Sequence, residues 1–166
     1  MSHIALADLI DFEKKILSLK EILDNRANLP KPLVFTNGVF DILHRGHITY
    51  LAQARSMGNF LLVGINSDRS VKTLGKGKDR PLNCEADRAA LIAALASVDG
   101  VVLFDESNPH KLIECLKPDI LVKGGDYNID ALPEAATVRQ YGGKALSIDF
   151  KYIRSTTALV NRIRQS

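Results

Sequence analysis

The sequence predicts an α/β fold: a parallel five-stranded sheet with helices on both faces, plus a helix at the amino terminus. Three observations carry that prediction. Five short apolar runs, at 33–36, 60–65, 100–104, 119–122 and 144–148, recur along the 166 residues. Helical patterns separate most of them, and strands alternating with helices close into parallel sheets through right-handed crossovers. Runs such as Phe60 to Ile65 are continuously apolar rather than alternating, as expected of strands covered on both faces. The length suits one well-cored domain. The expected division is an amphipathic helical extension over 1–29 and a sheet domain over 30–166.

Taken in order, residues 3 to 25 place Leu6, Leu9, Ile10, Ile16, Leu17, Leu19, Ile22 and Leu23 on an apolar stripe, so one helix is predicted there, ended by Pro30 and Pro32. Its polar face mixes Asp, Glu and Lys, which favours packing on the domain or a partner over lying on a membrane. Strand 33–36 leads to a helix from Gly46 to Met57, with Gly58 as a left-handed cap. After strand 60–65 the rhythm breaks. Residues 68–83 hold Lys72, Lys76, Lys78, Arg80 and two glycines, and read as a mobile basic loop, either solvated surface or a flap over phosphate oxygens. Helix 87–96, strand 100–104, helix 108–116, strand 119–122, helix 132–141, strand 144–148 and helix 156–164 complete the chain. Ligands of such sheets bind beyond the carboxyl ends of the strands, where strand order reverses.

Composition narrows the classes. A net charge of +3 with dispersed lysines and arginines does not require a nucleic-acid partner. Cys84 and Cys115 are far apart and form no zinc pattern, so both are expected as reduced thiols. No apolar run approaches the ~20 residues of a membrane span, and Asp8 and Asp11 stand where a signal peptide carries basic residues. A cytoplasmic protein is expected. No GxGxxG follows the first strand and no GxxxxGK[ST] is present, which argues against a dinucleotide-binding dehydrogenase and a P-loop kinase.

The stretch Phe35-Thr36-Asn37-Gly38-Val39-Phe40-Asp41-Ile42-Leu43-His44-Arg45-Gly46-His47 runs from strand through turn to helix start. Such a junction presents unpaired N–H groups and a positive helix end, which bind anions, and two imidazoles add further donors. A hairpin turn at Asn37-Gly38 is the plainer reading, but a strand-to-helix junction is a poor place for one. His3 and His110 have no comparable context. Lys123-Gly124-Gly125-Asp126-Tyr127 follows the fourth strand, either as a close ligand approach with Asp126 accepting from sugar hydroxyls or as a plain turn with Asp130 capping the helix. Ser155-Thr156-Thr157 opens the last helix, as caps or as a phosphate site. Arg88 lies in the helix after the basic loop, within reach of a phosphate or of surface pairing with Glu85 or Asp87.

Thr36-x-Gly38-x-Phe40-Asp41 with His44-x-Gly46-His47 resembles the signature of the nucleotidylyltransferase superfamily, which gives the fold expectation a Rossmann-like form. From Leu33 onward VGINSDRSVK, RPLN, KPDILVKGGDY and STT are similar to the branch that adenylylates heptose 1-phosphate. That resemblance implies transfer of AMP from ATP to the sugar phosphate, yielding ADP-heptose and pyrophosphate for the lipopolysaccharide inner core. It implies His44, His47 and Lys72 in catalysis. It further implies nucleotide contacts from Thr36, Asn37, Gly38, Phe40, Asp41, His44, Gly46, His47, Arg88, Lys123, Gly124, Gly125, Asp126, Ser155, Thr156 and Thr157, and acceptor contacts from Asn66, Asp68, Lys72 and Arg80. Relatives often carry isoleucine or a small residue where Arg154 stands. Magnesium is expected with ATP, with no direct protein ligand beyond Asp41 acting through water. A homodimer and a separate heptose kinase upstream are expected partners. Two alternatives stand beside this reading: a cytidylyltransferase acting on glycerol 3-phosphate or a similar alcohol phosphate, and a non-catalytic nucleotide sensor. A class I aminoacyl-tRNA synthetase shares the histidine-glycine-histidine element, but this chain is too small and lacks the matching lysine loop.

Overall fold

The structure is a computed structural model and describes residues 11–75, 77, 79–125, 128–152 and 156–165. Five parallel strands, β1 (Leu33–Gly38), β2 (Phe60–Asn66), β3 (Gly100–Phe104), β4 (Ile120–Gly124) and β5 (Lys144–Ile148), lie in the order β3-β2-β1-β4-β5. Around them run α1 (Leu19–Asp24), α2 (Arg45–Arg55), α3 (Asp68–Thr73), α4 (Glu85–Ala93), α5 (His110–Leu116), α6 (Pro133–Gln140) and α7 (Thr156–Gln165).

Alternation along each strand explains the two-sided core. Val34, Leu61, Val63, Ile65 and Val101 face α2 and α4, where they meet Leu51, Ala54, Ala89, Ile92 and Ala93. Their neighbours Leu33, Phe35, Leu62, Val102 and Leu121 face the other way, onto Leu112, Ile113 and Leu116 of α5 and Ala135 and Val138 of α6. Every strand residue named here is at most 1% exposed, so the continuous apolar runs reflect burial on both faces. Two aspartates fix where the central strands begin: Asp119 accepts the N–H of Leu33 at 2.6 Å, and Asp99 accepts that of Leu61 at 2.7 Å.

Strand order reverses at β1, and pairing there is incomplete. β1 pairs with β2 from Leu33↔Phe60 to Gly38↔Ile65, but with β4 only at Val34↔Ile120 and Phe35↔Leu121. Beyond Phe35 the two strands part and open a crevice at their carboxyl ends, where α/β sheets hold ligands.

Three expectations are corrected. The stretch predicted as one helix over 3–25 is, within the described residues, a 3₁₀ turn at Phe12–Lys15, an extended link and then α1. Ser18 restarts the helix as a capping box with Glu21, while Ile16 bridges Val101 and the Leu17 N–H bonds its carbonyl at 2.8 Å, covering the edge of β3. Gly58 is not a left-handed cap, since α2 ends through Ser56 in a right-handed conformation. It is glycine because a Cβ would lie 2.4 Å from the Pro32 carbonyl oxygen and 2.6 Å from Val34. Residues 68–73 of the predicted loop are α3, capped by Ser67, whose hydroxyl accepts the Ser70 N–H. Lys76 and Lys78 of that loop lie outside the described residues. The remaining helices and strands match their predicted spans to within three residues.

Candidate active site

The crevice is the mouth of a cavity of about 810 Å³. On one side β1 runs into Val39 and Phe40, the latter with φ +49°, a left-handed turn that swings the chain toward α2. His44 caps α2, its Nδ1 accepting the His47 N–H at 3.3 Å, which leaves the proton of a neutral ring on Nε2. The two imidazoles stack 3.7 Å apart at 16°, and Phe40 meets His47 edge-on at 5.2 Å. Gly46 lets this turn close: a Cβ there would stand 2.9 Å from the Tyr152 carbonyl oxygen and 3.1 Å from the His44 ring. His44 and His47 both line the cavity at the amino end of α2, where N–H groups and dipole favour an anion.

Two buried struts hold that turn. Arg88 is fully buried and donates to Val39 O at 2.7 Å, Asn83 O at 3.0 Å and Asp68 Oδ1 at 2.7 Å. Asp41, 2% exposed, accepts Leu82 N–H at 2.8 Å and Asn83 N–H at 2.9 Å on one oxygen, and Arg80 on the other. Burial pushes the Asp41 carboxyl up, but these backbone N–H groups and the Arg80 charge outweigh it and hold it below its ordinary value.

The facing wall belongs to β4. Lys123 Nζ donates to Asn37 Oδ1 at 2.6 Å, bridging the gap between the parted strands. It lies 3.5 Å from Glu134 Oε1. Burial pushes the Lys123 ammonium below its ordinary value, and Glu134 opposes that shift. Deeper in, Tyr50 OH donates to Val122 O at 3.0 Å, so Thr36 Oγ1 must be the donor in its 2.6 Å contact with Tyr50. At the remaining corner Thr156 Oγ1 donates to Ile42 O at 3.3 Å, so the start of α7 sits against the histidine turn. Thr156 and Thr157 both line the cavity.

The cavity thus gathers Asn37, Gly38, Phe40, Asp41, His44, His47, Asn66, Arg80, Lys123, Gly124, Thr156 and Thr157 from the residues predicted in sequence. Several others stand elsewhere. Thr36 is buried behind the wall against Tyr50, and Gly46 beneath the helix start. Arg88 and Asp68 pair with each other outside the lining, because the Arg88 guanidinium is spent on two carbonyls and a carboxylate. Lys72 is exposed and outside the lining, since α3 turns Ser70 and Val71 inward instead. Asp41 commits its carboxylate to Arg80, Leu82 and Asn83, a different task from holding a metal-bound water. Gly125, with φ +106°, makes the turn out of β4 and lies outside the lining, whereas Gly124 leaves room for Phe150, whose ring would be 2.7 Å from a Cβ. Asp126, Ser155 and Arg154 fall outside the described residues.

Sequence reasoning missed Glu134, Tyr50, Phe150 and the segment Ser107 to Pro109, which all line the cavity. Glu134 follows a proline at the start of α6, which reads as an ordinary helix opening. His110 is a bystander as expected, 3.3 Å from Glu114 on its own helix, and both cysteines are free thiols. Among the described residues, no helix is long and apolar enough to cross a membrane.

Comparison with known proteins agrees with this geometry. The chain is 59% identical over 156 residues to the D-beta-D-heptose 1-phosphate adenylyltransferase of Bordetella bronchiseptica, covering 93% of this chain and 96% of that one. It is 52% identical to the bifunctional protein HldE of Campylobacter fetus, covering 92% of this chain but 32% of that protein, so it spans about a third of the bifunctional relatives. Among solved structures, the lipopolysaccharide core biosynthesis protein of Thermoplasma volcanium superposes with a TM-score of 0.61 at 32% identity, over 74% of this chain and 98% of that one. A pantoate-beta-alanine ligase from Francisella tularensis, 17% identical over 86% of this chain and 68% of that one, shares the fold with a TM-score of 0.59. The family model for cytidylyltransferase-like proteins matches residues 35–164, from the last apolar residues of β1 through α7. The chain belongs to the cytidylyltransferase-like family of nucleotidyltransferases.

Proposed function

We propose that this chain is an adenylyltransferase that transfers AMP from ATP to a heptose 1-phosphate, producing ADP-heptose and pyrophosphate for lipopolysaccharide core synthesis. One observation carries the reading: the stacked pair His44 and His47, set at the amino end of α2, shares its cavity with Lys123 and with the threonines that open α7. The identity of 59% to an enzyme named for this reaction supports the substrate.

The acceptor is already an anion, so its phosphate oxygen attacks the α-phosphorus in line with departing pyrophosphate and needs no strong base. His44 and His47 donate to phosphoryl oxygens as charge develops on them. Thr156 and Thr157 receive the outer phosphates at the start of α7, a ten-residue helix. Lys123 supplies the cation on the opposite wall. Of the cavity carboxylates, Asp41 is engaged by Arg80 and Glu134 faces Lys123, and among the described residues no group of three or more histidine, cysteine or carboxylate side chains is placed to hold a metal ion. The donor set therefore suits magnesium carried on the triphosphate, where it would neutralise phosphate charge, rather than a protein cage.

A separate heptose kinase supplies the sugar 1-phosphate in this reading, and the cytoplasm is its compartment. The active form is a homodimer, paired through apolar side chains left exposed, such as Leu19 and Leu23 of α1 and Leu91 of α4. Light scattering at micromolar concentration tests the assembly, since a mass of 18.2 kDa refutes the dimer.

The catalytic reading is tested by pyrophosphate release, crossing ATP and CTP against heptose 1-phosphate, glycerol 3-phosphate and ethanolamine phosphate. Turnover confined to ATP with heptose 1-phosphate supports it. Preference for CTP with glycerol 3-phosphate, or nucleotide binding with no turnover in any pairing, overturns it.

A further inference from the structure

Glu134 is out of character with its surroundings. The other cavity carboxylate, Asp41, is taken up by Arg80 and the N–H groups of Leu82 and Asn83, whereas this one lines the cavity beside His44, His47 and Lys123 at 10% side-chain exposure. Among the described residues its one partner is Lys123, at 3.5 Å, longer than a charge-assisted hydrogen bond. The ammonium makes its close contact with Asn37 instead, at 2.6 Å. A carboxylate withdrawn from water without close donors is costly, and such groups ordinarily find hydrogen-bond partners. Among the described residues no further donor meets this carboxylate, which lines the cavity. A phosphate cannot supply one and is repelled. A hydroxyl can, and the vicinal hydroxyls of a sugar offer two donors to two carboxylate oxygens.

Resting on the function proposed above, we infer that Glu134 binds sugar hydroxyls of a substrate on the β4 side of the cavity and thereby selects a ligand with a hydroxylated ring. Two sugars enter the reaction, the ribose of the nucleotide and the ring of the acceptor, and both present this chemistry. Lys123 then has a double task. It bridges to Asn37 across the parted strands and sets a positive charge 3.5 Å from the Glu134 carboxylate.

The test is equilibrium binding to the wild type, Glu134→Gln and Glu134→Ala. One arm compares a non-hydrolysable ATP analogue with its 2′-deoxy and 3′-deoxy forms. The other compares a sugar 1-phosphate with and without its C2 hydroxyl. Losing a hydrogen bond to a charged group amounts to about 10- to 100-fold in affinity. The wild type is expected to prefer the hydroxylated ligand by that factor in one arm. Glu134→Ala should erase the preference, and the isosteric Glu134→Gln, which keeps one acceptor oxygen, should retain part of it. Loss in the nucleotide arm identifies ribose, and loss in the other identifies the acceptor. A role confined to holding Lys123 would weaken all ligands equally, so preferences unchanged across the three proteins overturn the inference. A change confined to the base, seen as altered discrimination between ATP and ITP, overturns it too. Neither arm requires turnover, so failure of transfer to heptose 1-phosphate would count against the proposed reaction without deciding this one.

Discussion

Arg80 pairs with the carboxylate of Asp41 across 39 residues of sequence, at 13% and 1% side-chain exposure, and so latches the segment after α3 onto the turn that carries His44 and His47. Asp41→Ala should cost about 3–5 kcal/mol, because it strands a mostly buried guanidinium and the N–H groups of Leu82 and Asn83 together. Chemical denaturation measures it. A loss under 1 kcal/mol would show that the latch is dispensable.

The same carboxylate makes stability depend on acid. Its folded value lies below the ordinary 3.8, so its contribution is complete above that pH and is lost as pH falls through the lower folded value. Asp119 acts in the same sense, its burial outweighed by the Leu33 N–H and Lys31. Wild-type stability should therefore fall below about pH 4, and the gap to Asp41→Asn should narrow over the same range. A gap independent of pH from 2 to 6 would contradict the assignment.

Replacing either cavity histidine by alanine should lower turnover by roughly 10²–10³, the loss seen when one preorganised donor is removed. For His44 a second effect is expected, since its Nδ1 also caps α2; loss of that cap should cost about 1 kcal/mol that His47→Ala does not. Turnover near wild type in both variants would remove the proposed mechanism.

Arg88 separates two roles that its position in sequence does not. Buried against Val39, Asn83 and Asp68, it should act on stability: Arg88→Lys, which cannot match three acceptors in a planar fork, should lower the melting temperature by several degrees. A variant of unchanged stability with a selectively raised KM for ATP would instead indicate direct phosphate contact.

Tyr50→Phe isolates the tie between β1 and β4. Loss of the hydroxyl leaves Thr36 Oγ1 and the Val122 carbonyl without it in the core, at an expected cost of about 1–3 kcal/mol. Thermal unfolding of Tyr50→Phe beside the double variant with Thr36→Val tests this, since removing both polar partners should recover part of the loss.

The sheet was readable because burial on both faces leaves little choice but apolar runs, and the histidine turn because it compresses many polar positions between a strand and a helix. What could not be read is what those polar residues touch. Arg88 among charges at 85–88 has the look of a surface helix, yet two of its three partners lie 20 and 49 residues away. Lys72 reads as a cavity cation only if residues 68–73 are a loop, and the cap at Ser67 makes them a helix. Glu134 gives no local signal, since its meaning comes from Lys123 on a neighbouring strand.

The last helix has consequences for the order of events in a turnover. None of the α7 side chains is buried, and its threonines nonetheless line the cavity. It is anchored at its start, by Thr156 on Ile42, and near its end by Arg164 on Asp79 at 2.9 Å. An element with so little buried surface opens at low free energy, independently of the sheet. On the function proposed above, the outer phosphates would be held by an element with little buried surface, so that local opening of α7 would give pyrophosphate a way out without disturbing the core.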